Sequence, residues 1–407
     1  MTSNKGGGDM TGTLDGIRVV DLTTVVMGPW AAQMLGDMGA DVIKIETPTG
    51  DIARGMGPAR NKGMAAVFLT TNRNKRSIVL DLTKDAGLKA LRKIIDTADV
   101  FMHNLRPKVM NKFGLGHETF TDTNPDLIYC GAYGFRAEGP LADKPAYDDV
   151  IQTASSICDM MSIIAGHPRF VPTLIADKTS AYAMLASILA ALVQRERGGG
   201  GQAVEVPMYE TLVDFGMVEQ LYGATFDPPI AQMGYERIMN TERRPYPTKD
   251  GFLTVLPYSD QNWKDFFCIA GREEMMDDPV FASHSERVSN SEIVYATLAE
   301  IVVTRTTAEW IKDLDVANIP VMGVNTMDDL LEDEQLKATG FWHSVEHPTE
   351  GKLRFTDPPL RYSKTPSSIR DMPPLLGQQS AEVLAEAGYS PNEIEELFAA
   401  KVTKRPA

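Results

Sequence analysis

The chain has 407 residues, of which 43% are hydrophobic and 23% are charged, and its formal net charge is -15. This length exceeds the usual limit of one hydrophobic core, so we expect two domains of an ordinary soluble globular protein. The acidic balance argues against a general surface for nucleic acid or anionic membrane, and it leaves room only for a local basic patch that binds an anionic ligand.

The N-terminal residues 1–12 are polar and Gly-rich, which predicts a disordered leader without the apolar region of a signal peptide. Three cysteines, Cys130, Cys158 and Cys268, are widely separated and lack CxxC spacing. They predict buried reduced thiols and neither a zinc site nor a disulfide framework. Both observations favour a cytoplasmic protein.

From residue 17 the first half of the chain alternates strand-like and helix-like segments. The strand-like segments are IRVVDL, DVIKIE, SIVLDL, VFMHN and DLIYCGAY, and the clearest helices between them are PWAAQMLGDMG and DAGLKALRKIIDTA. This alternation predicts a parallel sheet with helices on its faces, to which the later segment QAVEVPM adds a strand. No GxGxxG follows the first strand and no P-loop motif occurs, so the sequence does not favour an ordinary dinucleotide-binding site or a P-loop nucleotide site.

The amino-acid composition changes at residues 223–250, which form a connector rich in Pro, Arg and Tyr. This change predicts a domain boundary after a large domain at residues 13–222. A smaller domain should occupy residues 251–340, with a strand at FLTVLP, helices near residues 261–270 and 290–303, and a final helix at DDLLEDEQLKATG. Residues 341–407 contain short strands, Pro-rich loops and an acidic helical segment. They should connect back to the large domain, although a third unit is the alternative.

The segment LIADKTSAYAMLASILAAL places one carboxylate, Asp177, at the head of a long apolar helix. The spacing of its apolar residues, with Ala between them, predicts a core helix buried nearly all round, and its uncharged run is shorter than the roughly 18 residues that indicate a membrane span. An Asp in this place is most often an N-cap. The helix N-terminus would also keep the carboxylate ionised and turned toward a cleft, as a nucleophile requires, so both roles stay open.

Six segments that occur in one order together resemble the class III coenzyme A transferases, the CaiB/BaiF group. They are LDGIRVVDLTTVVMGP, GADVIKIETPTGDIAR, NRNKRSIVLDL, ADVFMHNLRP, ADKTSAYAMLASILAALVQRERGGGGQAVEVPM and PPLLGQQSAEVLAEAG. The resemblance implies an α/β fold, with a Rossmann-like large domain containing the parallel sheet, a smaller inserted α/β domain and an interlocked homodimer. It implies transfer of coenzyme A (CoA) from an acyl-CoA to a carboxylic acid, with no metal and no permanently bound cofactor.

In that family the Asp of the segment matching ADKTSA is the nucleophile, which implies this role for Asp177. A carboxylate suits the position because it can attack the donor thioester to form a mixed anhydride, which the CoA thiolate reopens as an aspartyl-CoA thioester. Tyr147 and Asp148, in KPAYDDV, fall where these transferases hold residues beside the reacting acyl group, although a surface Tyr and a turn Asp are the alternatives. No counterpart of the glycine-rich lid of some members occurs between residues 257 and 263.

The resemblance also implies a CoA site that offers cations and N–H donors to the phosphates. By family position its lining comprises Val25, Val26, Thr47, Leu80, Asn104, Leu105, Arg106 and Lys112. Lys84 and Lys144 are further candidates, for which a solvated surface role stays open, and the three cations of NRNKRS could be structural or bind phosphate. The family often has an Arg where this chain has Thr47.

Two other functions compete with CoA transfer. A 2-methylacyl-CoA racemase on the same fold would need a His near Tyr147, yet no His lies between His117 and His167. A CoA-binding protein without turnover would use Asp177 only as a cap. Such a protein would bind CoA without exchanging label between acyl-CoA and free acid.

Overall fold

The computed structural model describes residues 12–406, so residues 1–11 of the predicted leader lie outside the described part of the chain. The chain divides into two compact units. The first takes in the described residues up to Ser156, the segment Phe170–Phe215 and the described residues from Ala338 onward. The second takes in Ile157–Arg169 and Gly216–Lys337.

A six-stranded parallel sheet forms the centre of the first unit, with the strand order β3-β2-β1-β4-β5-β6. Its strands are β1 (Arg18–Leu22), β2 (Asp41–Glu46), β3 (Lys75–Val79), β4 (Val100–His103), β5 (Ile128–Tyr133) and β6 (Gln202–Pro207). The inner strands are almost wholly buried, as expected for a parallel sheet covered on both faces. The parallel sheet predicted from the alternating segments is therefore confirmed.

Most helices of the first unit follow the strands in the alternating order. They are α1 (Met27–Asp37), α2 (Ala66–Thr71), α3 (Asp85–Ile95), α4 (Pro107–Lys112), α5 (Asp148–Ala154) and α7 (Ile175–Gln194), with α14 (Ser380–Glu386) and α15 (Pro391–Ala399) near the C-terminus. One core lies between the strands and helices α3, α14 and α15, where Phe101, Leu91 and Leu384 are buried. A hairpin of β10 (Trp342–His347) and β11 (Gly351–Thr356) adds a small cluster around Phe355 and Phe68.

Helix α7 packs against α1, α5, β5 and β6. With its continuation to Gly199 it is long and apolar enough to cross a membrane by length and composition, yet half of its apolar window is buried inside the protein, as in a core helix. The expectation of burial all round was wrong, because Lys178, Tyr182, Ala186, Ala190 and Val193 form an exposed stripe along one side. Small Ala residues satisfy the apolar pattern on either face, so the pattern did not reveal the stripe.

The second unit contains a three-stranded antiparallel sheet in the order β7-β8-β9. Its elements are α6 (Ile157–Ala165), β7 (Tyr246–Pro247), β8 (Phe252–Val255), α9 (Asp260–Ala270), α10 (His284–Ser289), α11 (Ser291–Val302), α12 (Thr307–Val316), β9 (Val321–Gly323) and α13 (Glu334–Ala338), and α8 (Met208–Gln220) runs between the two units in sequence. Trp263, Phe266, Phe267 and Trp310 dominate its core.

Two local predictions in this unit were wrong. The helix expected over DDLLEDEQLKATG is only the short α13, because Asp329 and Asp333 accept backbone hydrogen bonds from Thr326 (2.7 Å) and Leu336 (2.9 Å) instead of continuing a helix. Cys268, expected to be buried, is exposed on α9, whereas Cys130 and Cys158 are buried as predicted.

Candidate functional site

The strand order reverses between β1 and β4, and in open parallel sheets ligands bind in the crevice outside the carboxyl ends of the strands at such a point. Two loops leave the sheet here, residues 23–26 after β1 and residues 104–106 after β4. The side chain of Asn104 links them, since its Oδ1 accepts from Thr24 N (3.1 Å) and its Nδ2 donates to Thr24 O (2.9 Å). Asn104 therefore holds the two loops together at the entrance to the crevice.

A buried ionic cluster supports the first loop from below. Asp51 accepts a hydrogen bond from Val25 N (3.1 Å) and pairs with Lys44 (2.8 Å), and the Lys44 ammonium also donates to Thr23 O (3.0 Å). Val25 has a φ of 73°, a left-handed conformation that strains a β-branched residue and persists only where its surroundings impose it. A side chain at Gly28 would approach Thr23 within 2.3 Å, so the start of α1 can lie close to the loop only with glycine there.

A cavity of about 280 Å³ opens at these loops. It is lined by Thr24, Val25, Met27, Asn104, Leu105, Arg106, Val109, Tyr133, Gly134, Lys144, Pro145, Ala146, Tyr147, Asp177 and Met208. Among the described residues of this lining, Asp177 is the only carboxylate and Arg106 and Lys144 are the two cations. Among the described residues no ion pair involves either cation, although Arg106 Nη1 donates to Asp143 O (2.6 Å). The cavity can thus offer positive charge to an anionic ligand.

Asp177 lies in the first turn of α7, is only 8% exposed and faces the cavity. The N-cap of α7 is Leu174, so the interpretation of Asp177 as an N-cap was wrong. No hydrogen bond between described residues ends on the Asp177 carboxylate. Burial raises its pKa to about 7, and the nearby charge of Asp148 adds to the increase. The site therefore holds a carboxylate whose negative form is poorly stabilised, which is a recurrent property of reactive groups.

The Asp148 carboxylate lies beside the backbone of Asp177, and its predicted contact with the acyl group stays a prediction. It lies at the start of α5, is 4% exposed and does not line the cavity. Its Oδ1 accepts from the backbone N–H groups of Ala176 (2.8 Å) and Asp177 (3.0 Å), and its Oδ2 accepts from Gln152 Nε2 (2.6 Å). The adjacent Tyr147 does line the cavity and is 65% exposed. Adjacent residues at a helix start point in different directions, which a motif match does not resolve.

The predicted CoA contacts separate into two groups. Val25, Asn104, Leu105, Arg106 and the further candidate Lys144 line the cavity. The remaining predicted residues, which do not line it, are Val26, Thr47, Leu80, Lys84 and Lys112.

The residues of the second group differ in their surroundings. Leu80 is buried in the core and Val26 is also buried, and their assignment to the CoA site stays a prediction. Thr47 bonds within its own turn to Thr49 and Gly50, while Lys112 is exposed on α4.

The cations near β3 have structural partners. Lys84 donates to the carbonyl oxygens of Ala400 (2.9 Å) and Lys401 (3.0 Å). Arg73 pairs with Asp37, Lys75 with Asp21, and Arg76 with Asp41, Glu382 and Glu386. The structural alternative for NRNKRS thus fits these contacts, and each positive charge already has a carboxylate.

Sequence reasoning missed Tyr133 and Met208, which also line the cavity. Tyr133 ends β5 and Met208 directly follows β6. Because ligands bind at the carboxyl ends of parallel strands, the strand boundaries alone could have indicated both residues. The cavity lining contains no histidine, so the described site offers no second acid/base of the kind a racemase of this fold would use.

Comparison with known proteins identifies the class that this fold and site define. The model of CoA-transferase family III matches residues 14–380, and the chain belongs to that family. It is accordingly a CoA-transferase, an enzyme that uses CoA thioesters as substrates.

Individual relatives cover nearly the whole chain. A succinyl-CoA:glutarate CoA-transferase of Mus musculus is 29% identical over 394 residues, 96% of this chain and 90% of the relative. A succinate–glutarate CoA-transferase of Agrobacterium fabrum is 33% identical over 389 residues, 92% of this chain and 95% of the relative. The crystal structure of a CAIB/BAIF family protein from Brucella suis matches with a TM-score of 0.80 at 29% identity, covering 93% of this chain and 100% of that one.

Proposed function

We propose that the enzyme transfers CoA through covalent intermediates on Asp177. The observation that carries this proposal is the state of the carboxylate: it faces the cavity, is nearly buried and accepts no hydrogen bond from a described residue. A structural carboxylate would be expected to have a partner, because burying an unpaired charge is costly. A nucleophile must instead keep its lone pairs available to the substrate.

Transfer then proceeds in four steps. An Asp177 oxygen attacks the thioester carbonyl of the donor, the C–S bond breaks and CoA departs as the thiolate, leaving a mixed anhydride. The thiolate attacks the aspartyl carbonyl and releases the donor acid, which leaves an aspartyl-CoA thioester. The acceptor carboxylate attacks that thioester to form a second anhydride and free thiolate, and the thiolate attacks the acceptor acyl carbonyl to give the new acyl-CoA and regenerate Asp177. Each step exchanges one activated acyl group for another of similar energy, so ATP is not required.

The surroundings of Asp177 favour the covalent states. Both the anhydride and the thioester are neutral at this residue, so forming them removes a charge from a nearly buried place. The same environment raises the pKa of Asp177 to about 7, through burial first and Asp148 second. Since only the carboxylate form attacks, we expect kcat/KM to rise as the pH increases through about 7 and then to level off.

For the substrates, we propose short dicarboxylic acids and their CoA thioesters. Relatives named for succinyl-CoA and glutarate cover more than nine-tenths of this chain. Arg106 and Lys144 offer positive charge for the CoA phosphates or for the distal carboxylate of such an acid. Succinyl-CoA with glutarate is the first pair to assay, followed by other acyl-CoA donors with dicarboxylic and branched acids.

The covalent step is tested with Asp177→Asn. The amide cannot attack a thioester, so transfer should fall to background while CoA binding and folding persist. Hydroxylamine added to wild-type enzyme with a working donor should convert Asp177, and no other carboxylate, into a hydroxamate that mass spectrometry locates. Asp149→Asn, which changes an exposed neighbouring acid, is the matched control and should keep wild-type turnover. Wild-type turnover by Asp177→Asn would refute the mechanism and leave CoA binding without covalent catalysis as the alternative.

We also propose that the enzyme is a cytoplasmic homodimer with interlocked chains. Several large apolar side chains are exposed between residues 215 and 230, namely Phe215, Val218, Phe226 and Ile230. Large exposed apolar patches are typical of surfaces that a partner covers, and we propose that these side chains contribute to such a surface. The same stretch includes the start of the connector at residues 223–250.

A further inference from the structure

The helix that carries Asp177 has no cap of its own. Leu174 occupies the N-cap of α7 and offers no side-chain acceptor. The first N–H groups of a helix lack partners inside the helix, and the side-chain oxygen of an N-cap residue normally accepts from those at the second or third position. In α7 these positions are Ala176 and Asp177, and both residues are buried.

Asp148 supplies the missing acceptor from another helix. One of its oxygens accepts from both N–H groups, Ala176 at 2.8 Å and Asp177 at 3.0 Å. Its other oxygen is held by Gln152 Nε2 at 2.6 Å, and Gln152 Oε1 in turn accepts from Val171 N at 2.9 Å. The Asp148 carboxylate is thus fixed at both oxygens, and the positive end of α7 faces it.

This arrangement also places a second negative charge beside Asp177. No side chain among the described residues neutralises Asp148 in an ion pair, and Gln152 is a neutral partner. The other ionisable side chains that face Asp177 across the cavity are Tyr133, Tyr147, Arg106 and Lys144. On α7 itself the neighbouring Lys178 is exposed and donates to Thr173 Oγ1.

We infer that Asp148 is a positioning residue for CoA transfer: it caps the helix of the nucleophile from outside and, through its charge, favours the neutral acylated states of Asp177 over the free carboxylate. The inference rests on the proposed role of Asp177 and replaces a substrate contact at Asp148. Attack on the thioester consumes the Asp177 charge, so repulsion from Asp148 is relieved as the anhydride forms and returns when the free carboxylate is regenerated.

The test separates the cap from the charge. Asp148→Asn keeps an oxygen for the two N–H groups and removes the charge, whereas Asp148→Ala removes both. For Asp148→Asn we expect the acidic limb of the kcat/KM profile to move to lower pH by roughly one unit, and the ratio of covalent to free enzyme at saturating donor to fall by roughly tenfold. The limb should remain above the ordinary pH range of an Asp, because burial is the larger cause of the raised pKa.

Further variants distinguish positioning from mere structure. Asp148→Ala should lower kcat more than Asp148→Asn while KM for the acyl-CoA changes little, because the cations of the cavity remain in place. Adding Gln152→Glu to Asp148→Asn gives an oxygen that can face the new amide and returns a negative charge, so it should move the pH profile back toward that of wild type. Asp149→Asn is the control for a charge removed from the exposed side of α5.

A pH profile and covalent fraction of Asp148→Asn that coincide with those of wild type would overturn the inference. So would a selective rise in KM for the acceptor acid without a pH shift, because it would make Asp148 a substrate contact. If Asp177→Asn retains turnover, the proposed function has failed, and the coupling is then measured without activity. The pH-dependent gain in unfolding free energy from Asp177→Asn is compared in two backgrounds, wild type and Asp148→Asn. A smaller gain in the Asp148→Asn background supports the coupling, and equal gains in both backgrounds refute it.

Discussion

Asp177→Asn should make the protein more stable, and the gain should grow with pH. Folding raises the pKa of Asp177 from 3.8 to about 7, so between these values the folded protein holds a proton that the unfolded chain has lost. Asparagine is nearly isosteric with the protonated acid and carries no charge at any pH. The substitution also breaks no side-chain hydrogen bond to a described residue.

The sign and size follow from linkage. For an acid whose pKa is raised by folding, the contribution to stability is complete below the unfolded value of 3.8 and is lost as the pH rises toward the folded value of about 7. One pKa unit corresponds to about 1.4 kcal/mol, so the wild type loses about 1.7 kcal/mol by pH 5 and about 4 kcal/mol by pH 8. The variant should therefore exceed the wild type by these amounts.

Urea unfolding of both proteins at pH 5 and pH 8, at one protein concentration, measures the difference. The exposed-site variant Asp149→Asn should show no comparable growth of stability with pH. A gain of equal size at the two pH values would show that ionisation of Asp177 is not the cause. A variant less stable than wild type at pH 8 would refute the premise that the carboxylate lacks stabilising partners.

Three other predictions concern binding, support and assembly. Arg106→Ala should raise the CoA dissociation constant by roughly tenfold or more in titration calorimetry, since hydrogen bonds to charged groups are strong. Lys108 lies outside the cavity lining, so Lys108→Ala should leave the constant unchanged. An unchanged constant for Arg106→Ala removes this residue from the site. Asp51→Ala leaves the Lys44 charge buried without its partner, so it should lower the free energy of unfolding by about 3–5 kcal/mol in urea. A decrease below about 1 kcal/mol would show that the ion pair does not support the loop at residues 23–26. Light scattering should give twice the chain mass, and a monomeric mass in dilute solution would count strongly against the interlocked dimer.

Much of the fold could be predicted because its determinants are local. The inner strands of the parallel sheet are short segments with apolar side chains buried on both faces, and their alternation with helices restricts the sheet to a few topologies. The order of the strands also indicates which loops meet at one edge, and Val25 and Arg106, predicted from motif position, both line the cavity there. The length of helix α13 was overestimated because acidic side chains in this segment accept hydrogen bonds from the backbone and form local turns. These turns compete with the helix, and the spacing of apolar residues does not reveal that competition.

Within the site, the sequence by itself determined that a lone carboxylate lies at the start of a long apolar helix, and the tertiary structure decided what that carboxylate contacts. Asp148 and Asp177 are separated by 29 positions in the chain, and their relation arises only when α5 packs against α7. The same holds for the cations of NRNKRS, whose partners lie on other strands and helices. A charge near a strand end has the same local pattern whether it binds phosphate or an internal acid, because the partner is supplied by packing between distant segments.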